Sequence, residues 1–402
     1  MLVFTLSLFT IAILCGVLLL RPIAGSSLRR AAQAPEGAAS PKHPGRPSVS
    51  VVIPARNEER SLPALLASLQ VQTIAVDEVI VVDDQSEDGT ATIARDHGAT
   101  VITPSTRPES WLGKPWAVQT GAAAAGGDVL LFLDADVRLE PDALAVLLSA
   151  FKRLGAEGRH DPVISVQPYH TTRRWYERLA LLFNIQIFVG AARRVRGLTL
   201  SLSGSCCYGP CILCSRSAYE AIGGHESVRS CVLEDIELGN RFRRAGVPVH
   251  GFSGRGAVQF RMYPDGVGSM INGFSKNLLL GALRANPLFF FLDVFWMCGL
   301  ISAPVLAALY LSAGMSSEAA VSLVAYMLLA AQVVYAGSRL GSFGTITALL
   351  HPLPVLAFLI VVLRVAILSA TGRQVVWKGR KVSPGTREDI RAQHRASVRE
   401  RQ

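Results

Sequence analysis

Three short acidic groups stand out along the chain: Asp83-Asp84, Asp134-Ala135-Asp136 and Glu234-Asp235. The first two directly follow apolar runs, EVIVV and DVLLFL. A single small residue between two aspartates lets a tight turn turn both carboxylates toward one hard divalent ion, Mg2+ or Mn2+. Such an ion keeps coordination positions open for phosphate and neutralises charge growing on a departing diphosphate. The third group opens a helical run, where Asp235, with Glu234 second, is the candidate general base for an attacking hydroxyl. Taken alone, each group also reads as solvated turn acids or helix caps. Two pairs at matching strand ends favour a shared cleft.

The elements that must position these acids can be read from the pattern. Ser48–Ala55, Glu78–Val82, Thr100–Thr103 and Asp128–Leu133 read as buried strands. Helical segments separate them, including the Leu62, Leu65, Leu66, Leu69 stripe and a helix over 116–125. A further helix runs from Pro141, proline being well suited to a first turn. Strands and helices alternating in this way predict an α/β fold with a mostly parallel sheet and helices on both faces. Such sheets bind ligands beyond the carboxyl ends of their strands, where the acidic pairs fall. Further on, 163–168 reads as a strand, 174–188 as one long helix and 211–214 as a strand near the sheet edge. A short helix at 217–222, a helix at 234–245 and a strand at 247–252 follow. A Walker loop and a dinucleotide-binding glycine fingerprint are both lacking, against an NTPase or a dehydrogenase.

The 402 residues are 50% hydrophobic and 17% charged, which points toward a membrane. Met1 to Leu20 carries no charged side chain and is long enough to span a hydrocarbon core. Its basic residues, Arg21, Arg29 and Arg30, follow the apolar run instead of preceding it, favouring an uncleaved anchor over a signal peptide. They also favour a cytoplasmic central domain in a multi-pass inner (plasma) membrane protein. Leu288 to Ala370 contains only Asp293, Glu318, Arg339 and Arg364 as charged residues, in apolar runs near 288–312, 319–337 and 342–370. Three full crossings would put the arginine-rich tail on the far side from Arg284. A dip and return by 342–370, interrupted by Pro352 and Pro354, would avoid this if protein shields the broken backbone.

The domain reading is therefore an anchor over 1–22, a flexible linker over 23–47 and a catalytic domain over 48–263. An amphipathic interfacial helix over 264–286, membrane helices over 287–371 and a basic tail over 372–402 complete it. Val267, Met270, Ile271, Phe274, Leu278 and Leu279 give the amphipathic segment one apolar face, which also suits a packed core helix. Cys206, Cys207, Cys211 and Cys214 raise a zinc site, but their apolar setting favours core packing. The net charge of +10 suits anionic headgroups, and no nucleic-acid motif accompanies it.

VVIPARNEE, VVDDQSEDGT, the DAD motif and LEDIELGNRFRRAG, in this order, resemble the inverting family 2 glycosyltransferases of GT-A fold. The likeness spans roughly 48–282. Within the family, MYPDGVGSMINGFSKNLLLGA and TGRQVVWKGR are similar to membrane enzymes of the carotenoid (diaponeurosporenoate-type) and hopanoid pathways. The resemblance implies Pro54, Ala55 and Glu58 in the nucleotide pocket, Asp83 and Asp84 at base and ribose, and Lys114, on a loop, near the donor. It implies Asp134 by ribose or phosphate, Asp136 as principal metal ligand with Asp134 beside it, and Asp235 as base. Processive members carry Gln-x-x-Arg-Trp, whereas this chain has Gln259-Phe260-Arg261-Met262-Tyr263. Transfer of one sugar per acceptor is therefore expected, with Gln259 and Tyr263 at the acceptor and Arg261 at the diphosphate. An alternating edge strand explains the same letters without function.

The leading expectation is transfer from a nucleotide sugar, UDP-sugar favoured, to a hydroxyl or carboxyl of a membrane lipid such as a carotenoid, hopanoid or glycerolipid. A monomer or weak homo-oligomer is expected. A polyprenyl-phosphate sugar transferase and a non-catalytic membrane scaffold are the alternatives.

Overall fold

A computed structural model gives the fold and describes residues 1–33, 46–158, 160–191, 207–231, 233–281, 287–371, 375–377 and 380–382. Cys206, Arg284 and, in the basic tail, residues 372–374, 378–379 and 383–402 lie outside the described residues. The chain opens with α1 (Leu2–Ala24) and α2 (Leu28–Ala32). Then come β1 (Val49–Ala55), α3 (Leu62–Gln70), β2 (Glu78–Asp83), α4 (Thr90–Asp96), β3 (Thr100–Ile102), α5 (Gly113–Ala124) and β4 (Val129–Leu133). Next are β5 (Val137–Leu139), α6 (Ala143–Ala156), β6 (Val163–Gln167), β7 (Tyr169–His170), α7 (Leu181–Ala191), β8 (Cys211–Ser215), α8 (Arg216–Ala221), α9 (Glu234–Arg244), β9 (Val249–Ser253) and β10 (Val258–Phe260). The last part holds α10 (Val267–Gly281), α11 (Pro287–Ser312), α12 (Ser316–Leu340), α13 (Thr345–Leu349), α14 (Pro352–Thr371), β11 (Val375–Trp377) and β12 (Arg380–Val382).

The apolar runs form the centre of a seven-stranded sheet in the order β3-β2-β1-β4-β8-β6-β9. All neighbours are parallel except β8, which runs antiparallel to β4 and β6. Strand alternation sends Val51, Ile53 and Leu131 into one core beneath α3 and α6. Val52, Leu130 and Phe132 enter the other, beneath α5 and α9. Gly121 allows α5 to approach closely, since a Cβ there would lie 2.5 Å from Val52 Cγ1. A small sheet, β5-β10-β7, extends from the carboxyl end of β4. The family 2 expectation of an α/β, GT-A-like architecture flanked by apolar helices holds.

Three details correct the sequence reading. The strand expected at the sheet edge, β8, is internal. Its residues are buried throughout, and Cys211 and Cys214 enter opposite cores, so these two thiols cannot face one ion. The single helix expected over 174–188 is a 3-10 turn, Trp175–Ala180, followed by α7, with the Glu177 side chain capping the turn's start. Lys114 is not on a loop. It is the second residue of α5, which follows the extended Leu112 and carries Pro115 in its first turn.

Among the described residues, four helices are long and apolar enough to cross a membrane: α1, α11, α12 and α14. α1, α11 and α12 pack together through buried polar ties as well as apolar contact. The Trp296 indole donates to Gln332 Oε1 at 2.9 Å, and Gln332 Nε2 donates to the Ile13 carbonyl at 3.0 Å. A hydrogen bond left unmade in such surroundings costs several kcal/mol, on the order of that for any buried polar group in hydrocarbon, so these pairs fix helix register. The bundle is joined firmly to the sheet. Arg29 of α2 makes two bonds of 2.7 Å to Asp142, and Ser253 N donates to Ser26 O at 2.7 Å. The first part of the expected linker is thus folded and docked. α10 buries Met270 and Phe274, with Phe274 stacked on Phe183 at 4.1 Å, so its apolar face packs against protein.

Candidate active site

The register pairs Ala55 with Asp83 and Val52 with Phe132, so the ends of β1, β2 and β4 fall along one edge. At that edge Asn57 and Gln85 adopt left-handed backbone, with φ 52° and 59°. Non-glycine residues are held there only by surrounding bonds, and such strain gathers at functional loops. Asn57 N donates to Ser86 Oγ at 3.0 Å, and Glu87 N donates to Asn57 Oδ1 at 2.9 Å, locking the two loops together. Glu58 N donates to Thr90 Oγ1, and its carboxylate accepts from Ser61. Asp83 is buried and accepts from Ser86 N, while Asp84 faces Arg56 at 3.8 Å.

Pro54, Lys114, Asp134, Glu234 and Asp235 line one cavity, together with Gly209, His225 and the apolar Val118, Phe132 and Ile212. Its volume is about 10 Å3, room for a single water. Lys114 explains why it is so small. The ammonium lies 2.7 Å from Asp134 Oδ1 and 3.4 Å from Glu234 Oε1, filling the space between them. Burial alone would lower the Lys114 pKa, but Asp134, Glu234 and Asp235 outweigh it and hold the side chain charged. Burial raises both Glu234 and Asp235 above the usual carboxylate range, against the opposing pull of Lys114.

Asp235 is aimed by its backbone setting. Its Oδ2 accepts from Gly209 N at 3.0 Å and its Oδ1 from Ile236 N at 2.9 Å. A Cβ on Gly209 would stand 3.0 Å from Asp235 Oδ2, so glycine is what permits this approach. A carboxylate whose pKa is raised is a stronger base once ionised, which suits it to accept a proton from an acceptor.

The remaining expected residues lie outside this cavity. Arg261 donates from Nε and Nη2 to Glu177 Oε1, a carboxylate that also accepts from Arg173 N and Arg174 N. Gln259 donates to Glu140 Oε1 at 2.9 Å. Tyr263 has φ 55° and packs edge-on to Phe274 at 5.0 Å, over Gly273. Asp136 is partly buried on the turn between β4 and β5. Sequence reasoning missed His225 and Gly209. His225 follows Gly223-Gly224 on the connection into the acidic helix, a placement that was its only signal.

The glycosyl transferase family 2 profile matches residues 50–223. The 4,4'-diaponeurosporenoate glycosyltransferase of Staphylococcus haemolyticus is 40% identical over 259 residues, 64% of this chain and 68% of that protein. The enzyme of the same description from Staphylococcus aureus (strain MRSA252) is 33% identical over 338 residues, 84% of this chain and 88% of its own length. The chain belongs to glycosyltransferase family 2. Among solved structures, a mannosyltransferase from Pyrobaculum calidifontis in complex with GDP-Man and Mn2+ covers 90% of this chain and 98% of its own, with TM-score 0.47 and 18% identity. Glucosyl-3-phosphoglycerate synthase from Mycobacterium tuberculosis with Mg2+ and UDP covers 65% of this chain and 84% of its own, with TM-score 0.38 and 20% identity.

In this family 2 glycosyltransferase, Asp134 and Asp136 supply hard oxygen donors suited to Mg2+ or Mn2+. Among the described residues no group of three His, Cys, Asp or Glu stands together as a complete ligand set.

Proposed function

We propose that this enzyme transfers one sugar from a nucleotide-sugar donor, with UDP-sugar favoured, to a hydroxyl or carboxyl group of a membrane lipid. A carotenoid-type acceptor is the first choice, because the two Staphylococcus relatives are described as diaponeurosporenoate glycosyltransferases. The observation that carries the reading is the meeting of Lys114, Asp134, Glu234 and Asp235 around one cavity at the carboxyl edge of β1 and β4. Pro54, Ala55, Glu58, Asp83 and Asp84 would form the nucleotide side of the site. Lys114 would leave the carboxylates for the donor phosphates, opening the cavity as it moves. For a hydroxyl acceptor Asp235 would take the proton as that oxygen attacks the anomeric carbon and the nucleoside diphosphate leaves, with Glu234 beside it; a carboxyl acceptor would attack already ionised.

Asp136 and Asp134 would hold Mg2+ or Mn2+. When bound, that ion neutralises charge on the diphosphate leaving group. The helices α1, α11 and α12 would cross the inner membrane with the catalytic domain in the cytoplasm, so the site meets lipid acceptors at the headgroup plane. Tyr263 and Gln259 would stand toward the acceptor. Arg261, paired with Glu177, supports that wall in place of touching diphosphate.

The test is incubation of the membrane-reconstituted enzyme with a nucleotide-sugar panel and lipid extract, with and without EDTA, followed by mass measurement of products. A gain of one hexose on a lipid, lost with EDTA and restored by Mg2+ or Mn2+, is expected. Absence of any sugar transfer to lipid across the panel would refute the reading.

A further inference from the structure

α14 is long and apolar enough to cross a membrane, yet its two ends are anchored in a way that a crossing forbids. The carboxyl end of α12 is stitched to the catalytic domain. Ser253 Oγ donates to Arg339 O at 2.8 Å, Ser342 N donates to His170 O at 2.8 Å, and Thr172 donates twice to Ser342 at 2.7 Å, from N to Oγ and from Oγ1 to O. From that face the chain does not start a new span. Tyr326 OH donates to Leu349 O at 2.6 Å, and His351 Nε2 bonds to Leu300 O at 3.2 Å.

Tyr326 lies 14 residues before the end of α12, and Leu300 lies 13 residues into α11, so each is about 20 Å from the catalytic end of its helix at 1.5 Å per residue. Residues 341–351 therefore descend to that depth before α14 begins. α14 then returns. Phe358 packs on Phe183 of α7 at 5.1 Å, Arg364 Nη2 donates to Asn272 Oδ1 of α10 at 2.6 Å, and β11 lies beside α10. Both α7 and α10 belong to the wall nearest the sheet, Leu181 of α7 lying against Gly337 near the end of α12.

We infer that residues 341–371 form a re-entrant hairpin set into the membrane leaflet on the catalytic side, its partner being the acyl chains of that leaflet. The tip's broken backbone is not left to lipid: Tyr326 and His351 supply the bonds that carbonyls of Leu349 and Leu300 need away from water. The outward face of the return leg is apolar throughout, with Leu353, Leu356, Ile360, Leu363 and Ile367 exposed. α11 and α12 likewise leave large apolar side chains exposed, among them Val305, Leu309, Leu323 and Met327. Arg364 also fits this placement, because a return leg carries it back toward the headgroups, where a guanidinium is tolerated, and not to the membrane centre. The inference is independent of the sugar-transfer reading, since it rests on how the hairpin meets α7, α10, α11 and α12.

Depth measurement tests it. Single fluorophores are placed in reconstituted full-length protein at Leu353, Leu356, Ile360, Leu363 and Ile367, and quenched by lipids carrying nitroxides at known depths. A hairpin gives depth that is greatest at Leu353 and declines steadily to Ile367. A full crossing gives a profile deepest at Ile360 and shallower at both ends, and that result overturns the proposal. A second measurement uses unlabelled helices: an epitope after Gln402 should be protected from added protease together with one at Glu109 of the catalytic domain, and opposite to one inserted at Ala313 between α11 and α12. Protection of the C-terminal epitope together with the Ala313 epitope also overturns it.

Discussion

The Lys114 ammonium sits 2.7 Å from Asp134, between the turn after β4 and the acidic start of α9. One positive charge thereby ties together two chain segments that the sequence separates by a hundred residues. It offsets mutual repulsion among Asp134, Glu234 and Asp235, and on the proposed reading the same charge would meet the donor diphosphate. Replacing Lys114 with Met is expected to weaken UDP binding by about 10- to 100-fold, the loss of one charge-assisted bond worth ~1.5–3 kcal/mol. Isothermal titration with UDP and Mg2+ measures it. Binding unchanged in Lys114→Met would remove this residue from the donor site.

Asp235 gives a pH prediction with a definite sign. Burial raises its pKa, so it becomes a competent base only above the ordinary aspartate value of about 3.9. The acid limb of kcat/KM should therefore turn at a higher pH than an exposed aspartate would give. Stability runs the other way. The folded state keeps this proton after the unfolded chain has released it, so stability is lost as pH rises from the unfolded pKa through the raised folded one. Asp235→Asn should abolish transfer, by at least ~100-fold, while its melting temperature relative to wild type rises as pH climbs above the ordinary aspartate value of about 3.9. A variant that loses both activity and stability at every pH would argue for a structural role.

Much of this site was legible because its residues sit where secondary structure changes. β1, β2 and β4 are continuous β-branched or apolar runs, and an acid directly after such a run marks the carboxyl edge of a parallel sheet. Asp134 was therefore visible from local pattern, and Asp235 from its place at the start of a helical run. Their separation by Lys114 was not, since nothing in a Trp-Leu-Gly-Lys-Pro stretch says that a helix starts there and turns its second residue inward. β8 was misplaced at the edge for a related reason. A run of Cys, Ile and Leu reports burial but not the order of strands, and the antiparallel insertion of β8 between β4 and β6 depends on contacts far away in sequence. Arg261 and Tyr263 were assigned by resemblance to a motif whose spacing this chain does not keep, and Arg261 proves to pair with Glu177.

That pair should matter for stability more than for chemistry. Glu177 is almost fully buried, and its carboxylate takes bonds from Arg261 and from two backbone amides. Burial raises its pKa, but Arg261 and those amides outweigh it, and the net shift is downward. Its contribution is present above the unfolded glutamate pKa near ~4.3 and lost as pH falls through the depressed folded value. Arg261→Met leaves a buried carboxylate unpaired and is expected to destabilise the protein by about 3–5 kcal/mol. Thermal melts in detergent at pH 7 measure the loss. Donor affinity unchanged in the folded fraction would confirm that Arg261 does not bind diphosphate.

His225 offers a finer prediction, because its tautomer is dictated by its neighbours. Gln119 Oε1 accepts from Glu226 N, which fixes it as the oxygen, and it also receives the Tyr219 hydroxyl proton at 3.1 Å. Tyr219 oxygen can then only accept, and it does so from His225 N at 3.0 Å and from the Nδ1 side at 2.9 Å. The proton of the ring must sit on Nδ1, leaving Nε2 as a bare acceptor on a residue that lines the cavity. Burial and the nearby Lys114 push its pKa down to about 3, so it stays neutral through the working pH range. A donor hydroxyl meeting Nε2 would find an acceptor and never a charge. Tyr219→Phe keeps the imidazole but removes the group that holds its tautomer. It is expected to lower kcat/KM about two- to tenfold, one neutral hydrogen bond being worth ~0.5–1.5 kcal/mol. Donor analogues lacking one sugar hydroxyl at a time provide the check. Wild type should be slowed by one of these deletions to which Tyr219→Phe and His225→Phe are both indifferent, whereas equal sensitivity in all three proteins would make His225 a packing residue alone.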